Sequence, residues 1–340
     1  MRRFLSIVVL VSAIAVLSAG VCYAQDTFFD DLKGTINPSV WATSTPYAYG
    51  SVTPTTDGVV LTLLQQVIPR NPSVSFSQWL SFTCQVAGNF DAQYSYELLY
   101  WPVQNGIRLG LGAGGMGSPA AVERISGDWL VIGGAREVYL THFPNGIRGI
   151  VDTTDRTGRF RLTRTGSVLR GYYLQQDGTW QLLNTSSVSV ANPTNFGLSL
   201  WGHWRTPGVT VRLTNFSMTA DSIACPVTPV SIDVHPGSTV NPINVRSKGV
   251  TPVAVLTTAD FDASTVDPSS VTFGPAGATD AHGTGHLEDV DGDGDLDLVF
   301  HFYTDLAGIE CGQAEATLTG ATLDGQAIEG SDVIVTRGCK

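Results

Sequence analysis

The stretch TGRFRLTRTGSVLRGYYLQQDGTWQLL, residues 157–183, alternates apolar and polar side chains along three short segments. Alternation with a period of two residues is typical of antiparallel strands that bury one face. The Asp177-Gly178 pair between the second and third segments favours a tight hairpin turn. In the first segment the pattern predicts two core residues, Phe160 and Leu162, and three outward-facing residues, Arg159, Arg161 and Arg164. The stretch therefore predicts paired strands.

The same alternation recurs on both sides of this stretch. It predicts four groups of apolar residues that share a face: Tyr94, Tyr96, Leu98 and Tyr100; Ile107, Leu109 and Leu111; Phe196, Leu198 and Leu200; Val209, Val211 and Leu213. Ten or more strands in about 195 residues cannot form one flat sheet, so we expect a sandwich of two sheets. The abundance of Gly, with 37 residues, and the recurrent turn signals agree with an all-β class.

Charge divides the chain into two parts. Residues 25–225 carry 13 acidic and 13 basic side chains, whereas residues 226–340 carry 17 acidic and 4 basic side chains. The sequence has no basic stripe that would neutralise phosphates, so we expect no nucleic-acid partner. We predict two domains, at 26–222 and 230–340, joined by a Pro-containing linker at 223–229.

The first 24 residues have the features of a secretory signal peptide. Arg2 and Arg3 precede an apolar run from Phe4 to Val21, and a cleavage site follows Ala24. We therefore expect a secreted or periplasmic protein with no membrane span in the mature chain. An uncleaved membrane anchor is the alternative, because the run of about 18 residues is close to the length of a spanning helix.

The mature chain contains four cysteines: Cys84, Cys225, Cys311 and Cys339. An even number in an exported protein favours disulfide bonds over metal binding or catalysis. Cys311 and Cys339 are close in sequence and are predicted to pair, which leaves Cys84 with Cys225. Four cysteines allow three connectivities, so the other two stay open.

Four segments in the order DDLKGTINPSVW, LLYWPVQNGIRLGL, the opening stretch and VTVRLTNFSM carry a resemblance to a known family. Over residues 27–220 the chain resembles the concanavalin A-like lectin/glucanase jelly rolls, and among them the laminin-G-like bacterial extracellular modules. The resemblance implies a curved jelly-roll β-sandwich whose concave face binds glycans or other extracellular ligands. An extracellular glycan or surface glycoconjugate is therefore the expected partner.

No catalytic residues are predicted. Glucanases of that superfamily carry a Glu-x-Asp-x-x-Glu strand, whereas Glu97, Glu123 and Glu137 of the first part do not have that spacing. Asp91 and Glu97 share a strand face, but six residues of strand place them about 20 Å apart, too far for a catalytic pair. We expect a non-catalytic carbohydrate-binding or adhesion protein. The alternatives are a glycan-degrading hydrolase or lyase of the same superfamily and a structural surface or matrix component.

The segment LWGHWRTPG, residues 200–208, supplies the predicted ligand-binding residues: Trp201, His203, Trp204 and Arg205. Aromatic rings stack on the apolar faces of sugars, while Arg and His donate hydrogen bonds to hydroxyl groups. Alternation places Trp201 and Trp204 on opposite faces of a strand, so at least one of them is expected to be exposed. The alternative is that these tryptophans belong to the core.

Residues 229–340 read as about eight short strands separated by Pro, Gly and Asn. Their sequence resembles that of a C-terminal module that recurs in secreted bacterial proteins. We expect a smaller, immunoglobulin-like β-sandwich here.

Within this second part, residues 288–302, EDVDGDGDLDLVFHF, place five aspartates at alternate positions: Asp289, Asp291, Asp293, Asp295 and Asp297. Their mutual repulsion and hard oxygen ligands favour a bound Ca²⁺, with Gly294 at the sharp turn and the carbonyl of Asp295 as a ligand. Phe300 stands where an EF-hand has Glu, and a strand is predicted to follow. The loop therefore resembles the calcium loops of integrin-type and thrombospondin-type repeats. We predict a structural calcium site, with a solvated acidic loop as the alternative.

His282 and His286, in the segment HGTGH, lie near His301 in the sequence and suggest zinc. The glycines between the first two argue against a helix that would align them, and no third ligand at a fixed position is expected. We therefore predict a solvated or glycan-facing loop.

Overall fold

The computed structural model describes residues 25–43, 49–67, 75–103, 105–114, 120–127, 136–203 and 205–339. The chain forms two compact units. The first contains residues 25–36 and Val40–Cys225, and the second contains Asn37–Ser39 and Pro226–Lys340. The predicted signal peptide, residues 1–24, lies outside the described residues. None of the described helices is long and apolar enough to span a membrane.

In its described residues, the first unit consists of strands joined by turns. The strands are β1 (Asp26–Asp30), β2 (Trp41–Thr43), β3 (Gly50–Thr55), β4 (Gly58–Leu63), β5 (Gln66–Val67), β6 (Ser75–Tyr100), β7 (Ile107–Ala113), β8 (Ala120–Ser126), β9 (Glu137–Phe143), β10 (Gly146–Asp152), β11 (Thr157–Thr165), β12 (Val168–Leu174), β13 (Trp180–Ser186), β14 (Thr194–His203), β15 (Arg205–Thr206) and β16 (Val209–Ala224).

The long strand β6 belongs to both layers of a sandwich. Antiparallel pairing gives the order β10-β9-β8-β7-β14-β6-β11-β12-β13. The first half of β6 pairs with β14, and its second half pairs with β11 and β16. Although β11 has no hydrogen-bonded pairing with β7 or β8, it packs against both, so the sheet folds over on itself. The first unit is thus a large antiparallel β-sandwich, which is the architecture that the concanavalin A-like resemblance predicts.

Alternation along the strands fills the space between the layers. Tyr94, Tyr96 and Leu98 are buried together with Phe160 and Leu162, as predicted. The predicted hairpin is also present, since β12 and β13 pair up to Leu174 and Trp180 and the amide of Gln175 donates to the carbonyl oxygen of Thr179 at 2.8 Å. The opening stretch therefore folds as its pattern predicts.

Two residues depart from the predicted faces. Tyr100 is 58% exposed, because a register shift between Thr210 and Val211 of β16 interrupts the pairing at the end of β6. The prediction that Arg164 points outward is wrong, since it lies on the same strand face as Phe160 and is only 3% exposed. Its guanidinium donates to the carbonyl oxygens of Gly88 at 2.6 Å and Ala191 at 2.9 Å, which compensates for its burial.

The described residues of the second unit form short strands and single-turn helices. The strands are β17 (Thr228–Pro229), β18 (Ile232–Val234), β19 (Pro242–Asn244), β20 (Val250–Val255), β21 (Thr272–Phe273), β22 (Ala278–Thr279), β23 (His286–Glu288), β24 (Asp297–Tyr303), β25 (Glu315–Ala321), β26 (Ala327–Val333) and β27 (Val335–Arg337). The 3₁₀ helices are Ala263–Thr265, Pro268–Ser270 and Thr304–Leu306.

These strands make a five-stranded sheet, β17-β26-β25-β21-β22, a four-stranded sheet, β18-β20-β24-β23, and the pair β19-β27. The core lies where the two larger sheets meet. There the rings of Phe273 on β21 and Phe302 on β24 stack with centroids 5.2 Å apart. The immunoglobulin-like topology stays a prediction for this all-β unit.

Both predicted disulfide bonds are present, between Cys84 and Cys225 in the first unit and between Cys311 and Cys339 in the second. The predicted linker, residues 223–229, has paired backbone at both ends, because β16 extends to Ala224 and β17 begins at Thr228. That the two units fold as independent domains stays a prediction.

Candidate functional site

The acidic loop is the connection between β23 and β24 in the second unit. Glu288 at the end of β23 pairs with Asp297 at the start of β24, so the intervening residues form a closed turn. Gly292 and Gly294 have φ values of 79° and 101°. Only glycine adopts the second of these values without strain, which explains the glycine at the sharp turn.

Three of the five predicted aspartates converge in this loop. Asp289, Asp291 and Asp293 are all exposed, and each offers a carboxylate oxygen within 4.8 Å of those of the other two. The loop's own amides hold these side chains inward, since Gly292 donates to Asp289 at 2.8 Å and Asp293 donates to Asp291 at 3.2 Å. This acidic triad, Asp289, Asp291 and Asp293, could therefore hold a metal ion with hard oxygen ligands.

The other two predicted aspartates lie in different environments. Among the described residues, no hydrogen-bond partner is found for the buried Oδ1 of Asp295, and burial together with the charge of Asp293 raises the pKa of Asp295. Asp297 is fully buried and accepts hydrogen bonds from the amides of Thr257 at 2.8 Å and Val290 at 3.0 Å. Asp297 thus fixes the loop to the neighbouring strand end, while Asp295 is repelled by the triad.

Two of the histidines, His282 and His286, are exposed, as predicted for a solvated loop, and they form a cluster with His301. His282, His286 and His301 each offer a ring nitrogen within 4.8 Å of those of the other two. The expectation that no third ligand is fixed near His282 and His286 is wrong, because pairing of β23 with β24 brings His301 beside them. This proximity could not be predicted from the sequence, because it depends on the register in which β23 pairs with β24.

The predicted ligand-binding edge is only partly described. Trp201 on β14 lies opposite Arg108 on β7, and the guanidinium carbon is 4.5 Å from the centroid of the Trp201 ring. Trp204 and the side chains of His203 and Arg205 lie outside the described residues. One face of Trp201 is therefore covered by Arg108, and the binding role of the four residues stays a prediction.

A second surface of the first unit was not predicted as a site. We call it the β11 groove: an open cavity of about 570 Å³ between β6, β11, β12 and β16, whose lining includes Asp91, Gln93, Arg161, Arg170, Tyr172 and Thr219. Arg161 donates to Asp91 at 2.5–3.0 Å, and Gln93 donates to Asp91 at 2.9 Å.

Aromatic rings border the β11 groove. The guanidinium carbon of Arg161 lies 5.4 Å from the ring centroid of Tyr172 and 5.6 Å from that of Trp180. The carboxylate of Asp91 raises the pKa of Arg161. The alternation in RFRLTR predicted that Arg161 faces outward, but strand pairing was needed to bring it beside Arg170 and Tyr172.

No family model matches the chain, and no curated protein matches it. One similar solved structure is the CBM2 module of the evolved Dit of Lactobacillus casei BL23 phage J-1, with 11% identity, a TM-score of 0.41, and coverage of 57% of this chain and 96% of that chain. Peanut lectin with a nine-residue peptide has 11% identity, a TM-score of 0.40, and coverage of 58% and 98%. A prokaryotic β-1,3-1,4-glucanase (lichenase) from a mouse hindgut metagenome has 11% identity, a TM-score of 0.37, and coverage of 58% and 99%. The identities and TM-scores are low, and the similar structures include both a lectin and a glucanase. The similarity therefore does not distinguish binding from catalysis.

Proposed function

We propose that this chain is a non-catalytic glycan-binding or adhesion protein that acts outside the cytoplasm and carries a structural calcium site. The observation that carries the proposal is the β11 groove, where charged, amide and aromatic side chains line one open cavity. Sugars present hydroxyl groups and apolar ring faces, which suit such a mixed lining. The two disulfide bonds agree with an oxidising compartment such as the periplasm or the extracellular space.

The ion pairs formed by the two carboxylates of β6 favour ligand recognition over glycoside hydrolysis. Asp91 is bound by Arg161 at 2.5 Å, and Glu97 is bound by Arg212 at 2.6 Å. The two carboxylates are also too far apart along β6 to act as a hydrolytic pair. Arg170 also lines the groove, where a guanidinium group can donate to sugar hydroxyl or carboxylate groups.

Calcium at the acidic triad is the second part of the proposal. Three exposed carboxylates that converge within 4.8 Å repel one another unless a cation lies among them. Ca²⁺ accepts six to eight oxygen ligands in flexible geometry, so backbone carbonyls and water would complete its coordination. The triad lies in a turn that joins two paired strands, which supports a structural role.

A glycan array probed with the full chain, followed by calorimetric titration of the best ligand, tests the glycan proposal. We expect Tyr172→Ala and Arg170→Ala each to weaken binding by about tenfold, which corresponds to about 1.4 kcal/mol. Tyr100→Ala is the matched control, because Tyr100 is an exposed tyrosine at the far end of β6. If Trp201→Ala weakens binding and the groove variants do not, the ligand binds at the predicted edge instead. Failure of every array glycan to bind would contradict the proposal and favour a structural role.

A hydrolase or lyase is the second candidate, and one specific observation favours it. Glu123 lies 4.0 Å from Arg108, beside Trp201, on a face that His142 also shares. Burial and the charge of Arg108 lower the pKa of His142, which would keep it neutral and able to accept a proton. New reducing ends or unsaturated products from a polysaccharide panel, lost in Glu123→Gln or His142→Asn, would establish this activity in place of simple binding.

A further inference from the structure

Two of the clustered histidines project from the same face of one sheet. His286 on β23 is paired with Val299 on β24, and His301 follows two residues later on the same strand face. The opposite face of β24 carries Phe300 and Phe302, which are fully buried in the core. Core packing therefore fixes the direction in which His301 points.

The third histidine is held by the backbone of its turn. The carboxylate of Asp280 accepts hydrogen bonds from the amides of His301 at 2.7 Å, His282 at 3.1 Å and Thr284 at 3.3 Å. At Gly285, with φ of 64°, a Cβ atom would lie 3.0 Å from the side chains of Leu298 and Phe300. The turn thus packs closely on the sheet, and Asp280 ties the turn that carries His282 to the strand that carries His301.

The distance between two of the imidazoles matches a tetrahedral metal centre, and all three ring nitrogens lie within 4.8 Å of one another. Nε2 of His286 lies 3.3 Å from Nδ1 of His282. Zinc-to-nitrogen bonds of about 2.0–2.1 Å in a tetrahedron place two ligand nitrogens about 3.3–3.4 Å apart. The rings meet at interplanar angles of 62–69°, so they do not stack. Nδ1 of His301 is buried and has no hydrogen-bond partner in the described part of the chain.

We propose that His282, His286 and His301 bind one Zn²⁺ ion, with a fourth position open to water or to an external ligand. Imidazole nitrogen suits zinc, whereas the carboxylate oxygens of the acidic triad suit calcium, so the two clusters select different metals. His282 and His286 are exposed, which makes the site reachable from solvent. The excess of acidic side chains in residues 226–340 raises the local concentration of divalent cations at both clusters.

The test uses the full chain, freed of metal with a chelator and then saturated with Ca²⁺ to fill the acidic triad. Zn²⁺ titrated by calorimetry should bind at one equivalent per chain, and Co²⁺ should give the intense visible absorption of tetrahedral coordination. We expect His282→Ala and His286→Ala each to weaken Zn²⁺ binding by at least about 100-fold, because each removes a direct ligand and loss of an outer-shell partner already costs about 10–100-fold. Both side chains are exposed, so these variants should fold as the parent does.

Two controls separate this site from the proposed function. Asp291→Ala should remove the calcium response and leave Zn²⁺ binding unchanged, and His142→Asn in the first unit should change neither. Zn²⁺ binding that persists in the double variant His282→Ala/His286→Ala would overturn the proposal. Binding weaker than millimolar in the parent would also overturn it, and would assign the 3.3 Å contact to a hydrogen bond between the two rings.

Discussion

At the scale of single residues, Arg124 is a charged side chain that lies in the interior of the first unit. It is fully buried on β8, where it contacts the carboxylate of Glu137 and donates to the carbonyl oxygen of Ile125 at 2.9 Å. Its guanidinium also lies 5.8 Å from the ring centroid of Trp101. An alternating pattern cannot predict such an arginine, because the compensating groups come from other strands and loops.

Replacing Arg124 by alanine should destabilise the first unit strongly. The change leaves the carboxylate of Glu137 largely buried without its ion pair, and loss of one partner from a buried pair costs about 3–5 kcal/mol. Arg136→Ala is the matched control, because Arg136 and Asp152 form an exposed pair whose contribution to stability should be much smaller. Urea unfolding of both variants measures the two free energies. Equal losses would show that Arg124 makes no greater contribution to stability than a surface arginine.

His235 gives a prediction about pH. Burial lowers its pKa, so the unfolded chain binds a proton more readily than the folded chain as the pH falls through the ordinary His range. The free energy of unfolding should therefore decrease between about pH 7.5 and pH 5.5. We expect His235→Asn, a residue tolerated at the φ of 59°, to reduce this decrease in the second unit's transition. His142→Asn in the first unit should leave that transition unchanged, and an unaltered pH dependence in His235→Asn would contradict the assignment.

At the scale of elements, the acidic loop shows what sequence spacing could and could not predict. The alternate aspartates and Gly294 correctly predicted a turning loop that leads into a strand rather than a helix. The spacing could not distinguish Asp297 from the others, because its burial follows from the pairing of β24 with β20 and β23. The exposure of Tyr100 was missed for a similar reason, since it follows from a bulge where β6 pairs with β16.

Asp297 and Asp291 should respond differently to substitution. Asp297→Ala removes the acceptor for the amides of Thr257 and Val290, so it should destabilise the second unit with or without calcium. Hydrogen bonds to charged groups contribute about 1.5–3 kcal/mol each, so a loss of about 3 kcal/mol or more is expected. Asp291→Ala in EDTA should change stability by less than about 1 kcal/mol. Thermal unfolding in EDTA measures both, and equal losses would place Asp291 in the supporting framework as well.

At the scale of the whole molecule, the two units differ in what holds them together. The first is charge-balanced, with a large apolar core between long strands. The second combines short strands with 17 acidic and 4 basic side chains in residues 226–340. The composition predicted this difference in charge between the two parts of the chain. The histidine cluster could be recognised only in the folded sheet.

Removing calcium should therefore affect one unit selectively. A cation that binds the folded state stabilises it by about 2.7 kcal/mol at a hundredfold excess over the dissociation constant. In calorimetry, EDTA should lower the transition of the second unit and leave that of the first in place. Asp293→Ala should abolish the response to added calcium. Identical traces with and without calcium would contradict the calcium site.

The disulfide bonds give a chemical test of the chain as a whole. A chain that begins at Gln25 should show no reactive thiol when it is denatured without reductant. The Cys311→Ser/Cys339→Ser variant, which opens a loop of 28 residues, should lose about 3–4 kcal/mol of stability in the chain-entropy model. Two or more reactive thiols in the parent would contradict the predicted pairing.

The pairing of β1 with β16 also determines when the first unit can close during synthesis. In the strand pair, Asp26 lies opposite Ala220, and the disulfide bond joins Cys84 to Cys225. At about 5–20 residues per second, the ribosome needs roughly 10–40 s to make the intervening chain. For that interval the unit has open edges, and the thiol of Cys84 stays unpaired for the roughly 7–28 s that synthesis of the next 141 residues takes. Oxidation of Cys84 with Cys225 can follow only after the last strand has emerged, so this bond marks a completed unit.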